Sequence, residues 1–173
     1  TASVSESATT GTFTAVLGTQ PPSDVVLSVT SADTGEATVS PSTLTFTDNN
    51  WDSAQTVTVT GVNDSVADGS QTTAVTIAVV DASSADAYDS VADQTVTVTT
   101  TDNDTESITL STTTATVSEA GSTGTFTAVL ETQPASDVVL SVTSADTGEA
   151  TVSASTLTFT NGNWNSAQTV TVT

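Results

Sequence analysis

The chain has 173 residues, of which 20 are acidic and none is Lys, Arg or His, so its formal charge is −20; Cys and Met are also missing. With no cationic side chain there is no salt bridge, phosphate clamp or basic stripe, which argues against nucleic-acid binding. Ser–His and Cys–His nucleophiles, Schiff-base lysines, His-ligated zinc, disulfides and Lys–Asn isopeptide staples are excluded outright. The remaining functional groups are carboxylate, amide and hydroxyl oxygens, the ligand set of a hard cation such as calcium.

Leu, Ile, Val and Phe total 37 residues, about 21%, just above the level that marks a charged chain as disordered. Threonine settles the matter. There are 42, mostly alternating with apolar residues, and this β-branched side chain suits the wet face of a pleated sheet. The chain is therefore expected to be folded and all-β.

Residues 1–60 recur as 114–173 at an offset of 113, with 50 of 60 positions identical. That period is too long for a solenoid coil and suits one immunoglobulin-sized sandwich per repeat. The expected organisation is a first repeat over 1–104 and a second over 105–173. The first lacks the start of its opening strand, because SITLSTT at 107–113 has no counterpart before Thr1, and the second stops after its fifth strand. No apolar run approaches the length of a transmembrane helix.

Seven strands are expected per repeat, each read from period-2 alternation and turn residues. Strand A covers 1–6, or 107–118 in the second copy. Strand B is GTFTAVL at 11–17, with Phe13, Ala15 and Leu17 facing inward. After the TQPPSD turn, strand C is DVVLSVT at 24–30, with Val25, Leu27 and Val29 inward. Strand D runs through 37–47 with Leu44 and Phe46, and Trp51 in the following turn is expected to plug one end of the core. Strands E, F and G are 56–62, 72–80 and 95–101.

Acidic residues concentrate in GVNDSVADG, DASSADAYDSVAD and TDND within 61–104. An up-and-down walk through seven strands gathers Glu6, Asp33, Glu36, Asp64, Asp68, Asp102 and Asp104 at the C-terminal pole. Carboxylates converging there repel each other, and the chain has no cation to offset them. Calcium, which takes six to eight oxygens at about 2.3–2.6 Å, can do so. Asp24, Asp48, Asp52 and Glu131 read instead as solvated loop residues; Asp48 and Asp52 become Asn161 and Asn165 in the second copy. The F–G loop acids Asp81, Asp86, Asp89 and Asp93 fall at the opposite pole, where they are expected to help clamp a joint between repeats.

The order V-S-E, then LTFT…NW…AQTVTVTGVND…ADG, then VTVTTTDND resembles Calx-β-type repeats, which occur in sodium–calcium exchangers and as long arrays in giant bacterial surface adhesins of the RTX type. The resemblance implies a calcium site built from the acid ending the first strand, acids of the C–D and E–F turns, and the acidic C-terminal run. Carried over residue by residue, it names Glu6, Asp64, Asp68, Asp102 and Asp104, with Asp33 at the C–D turn. Glu119, Asp146 and Glu149 repeat the first part of that site in the second copy. The E–F turn, with Asn63-Asp64 and Ala67-Asp68, is less acidic than the family's densest, which implies fewer ions or weaker binding.

The leading expectation is a non-enzymatic, calcium-rigidified spacer repeat of a large secreted adhesin on the bacterial cell surface or in the extracellular matrix. Its partners would be adjacent repeats, with no nucleic acid, membrane insertion or small-molecule substrate. The alternative is a subunit or segment of a matrix fibre in which strand exchange completes the half domain at 105–173. The T-x-T rows at 56–60 and 95–99 are too few for an ice-binding array, and a carboxylate-pair glycosidase lacks aromatics for a sugar cleft.

Overall fold

The computed structural model describes residues 1–173 and is all-β apart from two single 3-10 turns at Asp81–Ser83 and Asp86–Tyr88. By its internal contacts the chain divides into two compact units. Unit 1 comprises Thr1–Asp64 and Asp68–Asn103, and unit 2 comprises Ser65–Ala67 and Asp104–Thr173.

Unit 1 contains β1 (Ala2–Ser5), β2 (Thr10–Ala15), β3 (Val25–Ser31), β4 (Ala37–Ser40), β5 (Thr43–Phe46), β6 (Gln55–Gly61), β7 (Gln71–Val79) and β8 (Gln94–Thr101). These form a five-stranded sheet in the order β1-β8-β7-β3-β5 and a three-stranded sheet in the order β2-β6-β4. The core lies between them. Val25, Leu27 and Val29 of β3, Leu44 and Phe46 of β5, Val75 and Val98 come from one sheet, and Val57 and Val59 of β6 from the other. Alternation sets this arrangement: in QTVTVTG the valines are buried while the intervening threonines stay on the wetter face, as a pleated strand requires.

Three features depart from the sequence-based expectations. Strand D over 37–47 is two strands, β4 and β5, which belong to different sheets. The chain changes sheets at Ser40-Pro41, where proline removes a ladder donor. Leu44 and Phe46 thus pair with β3 while Val39 pairs with Val59 of β6, giving eight strands rather than seven. Trp51 does not plug the core. It is half-buried in its turn, and its carbonyl accepts the Leu17 N–H at 3.1 Å.

The third departure is in unit 2. It contains β9 (Ile108–Leu110), β10 (Gly124–Leu130), β11 (Val138–Ser141), β12 (Thr156–Phe159) and β13 (Gln168–Val172). These form the sheet β13-β10-β9 and the pair β11-β12. The continuous opening strand expected over 107–118 is only β9, with a bend after it. In unit 1, residues 2–5 are held as a strand by parallel pairing with β8; unit 2 offers residues 115–118 no such partner. Its core of Ala128, Leu130, Leu157, Phe159 and Val170, with Trp164 packed against it, is correspondingly small.

The pairing of unit 1 decides which loops meet. Because β1 and β8 run parallel, with Ser5 opposite Thr101, the residues after both strands emerge at one end. Antiparallel pairing of β4 with β6, Ala37 opposite Gly61, brings the start of β4 to the exit of β6. Pairing of β7 with β8, Gln71 opposite Thr100, adds the start of β7.

Gly61 permits the closest of these approaches. A Cβ there would sit well inside contact distance of the Ser5 carbonyl oxygen and carbon, backbone atoms that cannot swing aside. Gly61→Ala is expected to push β1 off the end of β6 and destabilise unit 1 by about 1–3 kcal/mol, the usual range for overpacking. Thermal unfolding checks this, and loss of Glu6 burial should accompany it.

Candidate metal centre

At this end of unit 1, Glu6 follows β1, Glu36 precedes β4, Asp64 and Asp68 lie between β6 and β7, and Asp102 follows β8, while Asp104 falls in unit 2. Carboxylate oxygens of Glu6 and Asp64 lie within 4.8 Å of each other. Two oxygens on one calcium, each about 2.3–2.6 Å from it, can be at most about 5 Å apart. The spacing of these two carboxylates is one that ligands of a shared calcium ion can have.

Glu6 is only 2% exposed, unusual for a carboxylate in a chain that has no basic side chain to pair with it. Its backbone N–H donates to the Thr101 carbonyl at 3.1 Å, and its Oε2 accepts the Asn103 N–H at 3.2 Å. The Asn103 side-chain amide donates to Ser7 Oγ at 3.2 Å and to Asn63 Oδ1 at 3.0 Å. One residue of the C-terminal run thus ties together the segments after β1, β6 and β8.

Other acids are anchored around this group. Asp102 Oδ2 accepts the Gly69 N–H at 2.7 Å, and Gly69 adopts a φ of +75° that side-chain-bearing residues rarely take. This bond holds the Asp68 turn against the end of β8. Asp33 Oδ1 accepts the Gly35 N–H at 2.8 Å, closing its own turn. Two buried threonines hold the loops from beneath: Thr73 Oγ1 accepts the Asp33 N–H at 3.0 Å, and the Thr100 hydroxyl donates to the Glu36 carbonyl at 3.2 Å.

Glu36 is not in the ligand set read from sequence, yet it has a buried carboxylate oxygen at this end of unit 1. Its Oε2 is buried with no hydrogen-bond partner. Its carboxyl is held above the usual glutamate range, first by burial and then by the charges of Asp68, Asp33, Asp64 and Asp102. The available signal was its place just before β4, because the C-terminal pole already included it by strand parity. Nothing in its local sequence marks its carboxyl as turned inward.

In unit 2 the counterparts are not gathered. Glu119 is exposed in the short turn closed by the Ser118–Ser122 bridge. Asp146 is exposed and accepts the Gly148 N–H at 2.9 Å, repeating the Asp33 turn without neighbouring acids from further strands. Glu149 is also exposed. In the F–G loop of unit 1, Asp89 is raised above the usual aspartate range by desolvation and then by Asp81 and Asp86.

No protein-family model matches the chain, and no curated protein matches it. Among solved structures, that of SSP-19, an MSP-domain protein like family member in Caenorhabditis elegans, is similar at 19% identity and a TM-score of 0.38, covering 58% of this chain and 91% of that one. Likeness of that degree carries no argument about this chain.

A pH dependence follows from Glu36. Its folded-state carboxyl binds a proton more tightly than in the unfolded chain. Between the ordinary glutamate range and the raised value, the folded state therefore holds more protons, and stability falls as pH rises through that window. In chelator, the unit 1 melting temperature is expected to drop across this interval, and Glu36→Gln should flatten the slope. Melts at closely spaced pH values measure it.

Proposed function

We propose that the chain is a calcium-binding structural repeat of the Calx-β type, a spacer in a large secreted adhesin of the bacterial surface or matrix. The supporting observation is the approach of the Glu6 and Asp64 carboxylates to within 4.8 Å of each other, with Glu6 almost fully buried in a chain without a single basic side chain. Glu36 Oε2, buried without a hydrogen-bond partner and near enough to Asp64 to feel its charge, is a further oxygen for the ion or a water bound to it. Asp68, Asp33 and Asp102 add to the negative field at Glu36.

The function follows from where these acids sit. They join the ends of β1, β6 and β8 with the start of β4, so an ion here crosslinks segments far apart in sequence. Calcium supplies positive charge that the chain lacks, and removing it leaves several carboxylates facing each other. An element of this kind is stiff in calcium-rich surroundings and loose without calcium, which suits a mechanical spacer. Near-identity of the two copies over 60 positions fits the same role, because a stalk needs length rather than distinct sites.

Melting the chain in 10 mM calcium and in chelator tests this reading. For a dissociation constant near 10⁻⁴ M, typical of extracellular calcium modules, that concentration is about 100 times the constant and stabilises by about 2.7 kcal/mol. The unit 1 transition should rise by about 10–20 °C. Equal concentrations of magnesium, which demands a tighter octahedral shell, should give a much smaller rise. Identical melts in calcium and chelator would remove the assignment.

A further inference from the structure

The turn at residues 160–166 of unit 2 is built on the same bonds as the turn at 47–53 of unit 1. Thr47 and Thr160 each donate a backbone N–H to the side-chain oxygen of Asn50 or Asn163, at 2.6 Å. The amides of Gln55 and Gln168 each donate to a strand carbonyl, of Thr45 or Thr158, at 2.7 Å. The N–H groups of Asn49 and Gly162 each donate to the hydroxyl oxygen of Thr47 or Thr160, at 3.2 Å. At the tip of this shared frame, Asp48-Asn49 of unit 1 becomes Asn161-Gly162 in unit 2. Of the seven asparagines in the chain, Asn161 alone precedes a glycine.

That pair carries its own chemistry. The Gly162 nitrogen, on giving its proton to a base in the solvent, can attack the side-chain carbonyl carbon of Asn161. A new C–N bond closes a five-membered imide, and the side-chain nitrogen leaves as ammonia. Water then opens one imide carbonyl. The product is aspartate in a normal main chain, or a β-linked aspartate whose main chain runs through the side chain. Nothing is oxidised or reduced, and water is the only co-reactant. The turn leaves the attack open. Asn161 and Gly162 are both exposed, and glycine has no Cβ to keep its nitrogen from a close approach. A Cβ placed there would meet only the Thr160 hydroxyl, at 3.9 Å. The Gly162 N–H is held by that same hydroxyl at the long end of the hydrogen-bond range.

We propose that Asn161-Gly162 is a self-modification site, an irreversible deamidation that ages the turn between β12 and β13 of unit 2. The two products have different consequences. Normal aspartate at 161 reproduces Asp48, and unit 1 holds the whole frame with that residue in place. It therefore adds one negative charge to the −20 of the chain and leaves the turn intact. The β-linked product puts an extra carbon into the main chain between Thr160 and Asn163, whose bond closes the turn. The residue after Asn163 is Trp164, which packs against the unit 2 core. Its carbonyl accepts the Leu130 N–H at 3.1 Å. Opening the turn thus loosens the end of β10. The matching turn of unit 1, with Asp48-Asn49, is spared.

This proposal does not rest on the calcium reading. Its test ages the full chain in mildly alkaline buffer and follows the mass of its chymotryptic fragments. Cleavage after Phe and Trp releases residues 160–164 and, from unit 1, residues 47–51. The first fragment is expected to gain about 1 Da as its amide becomes an acid, and the second to keep its mass. The gain should run within about tenfold of the rate in a free peptide of residues 156–168, because an exposed turn opens locally at little cost. Gly162→Ala should slow it by at least about tenfold through its added Cβ. Enzymatic methylation of β-linked aspartate should label the aged fragment. Hydrogen exchange at Leu130 should quicken in the labelled chain and stay at the parent rate in Asn161→Asp. Conversion more than tenfold slower than in the peptide, or equal in Gly162→Ala or in residues 47–51, would overturn the site. Leu130 exchange unchanged in the labelled chain, or quickened in Asn161→Asp, would overturn the consequence assigned to the β-linked product.

Discussion

Glu6→Gln is expected to move two properties in opposite directions. The amide keeps the shape of the side chain and can still accept the Asn103 N–H through its carbonyl oxygen, a contact that is 3.2 Å in the parent. What disappears is one buried negative charge beside Asp64. In chelator the variant should be more stable than the parent by about 1–3 kcal/mol, the scale of removing a buried charge from beside a like charge. In calcium the order reverses. The ion loses a ligand and a charge, both of which set affinity in calcium sites, and the dissociation constant should rise by at least about tenfold. Paired melts in the two buffers measure both effects. A variant less stable in chelator and unchanged in its calcium response would mean that Glu6 is a structural hydrogen-bonding residue.

Phe159→Ala should have the largest effect on stability. Phe159 is fully buried in the unit 2 core, which contains only five buried apolar residues, against twelve in unit 1. Replacing a buried phenylalanine with alanine costs about 3–5 kcal/mol, and small cores have little margin to absorb that loss. Hydrogen exchange across residues 124–172 is expected to lose all protection in this variant. The same change at its counterpart Phe46 should lower the stability of unit 1 by a similar amount yet leave that unit folded, because β3, β6, β7 and β8 still bury Val25, Val29, Val57, Val59, Val75 and Val98. Equal retention of protection in both variants would contradict the assignment of two separately cored units.

The strands were legible because this sequence alternates almost without interruption. TVTVT can bury its valines only by putting threonines outside, and the expected segments match β1, β2, β3, β6, β7 and β8 within two residues. The split of strand D was not legible. ATVS and TLTF alternate in the same way, and their assignment to different sheets depends on which distant strand each meets. Trp51 shows the same limit: a large aromatic in a turn looks like a core plug, but its exposure is set by how the turn folds back.

For the candidate site, the grouping of acids could be read from strand parity, because any strand that leaves at one pole brings its following loop there. The approach of Glu6 to Asp64 could not. Glu6 is buried because Gly61 lets β1 lie across the end of β6 and because Asn103 returns to bond it. Neither contact has a local signature. The burial of Glu36 Oε2 was not legible for a related reason: nothing in its immediate sequence, between Gly35 and Ala37, marks it. In unit 2 the same Val-Ser-Glu, followed by Ala-Gly-Ser rather than Ser-Ala-Thr, leaves Glu119 exposed. The acid alone therefore does not make the site; the strands around it do.

The most direct measurement is the anomalous diffraction of crystals of the full chain grown in calcium. A peak is expected about 2.3–2.6 Å from carboxylate oxygens of Glu6 and Asp64, with Glu36 bound to it directly or through one water. Calcium found only at the F–G loop acids Asp81–Asp93, or no peak beside Glu6 and Asp64 at saturating calcium, would contradict the metal centre proposed for this pole.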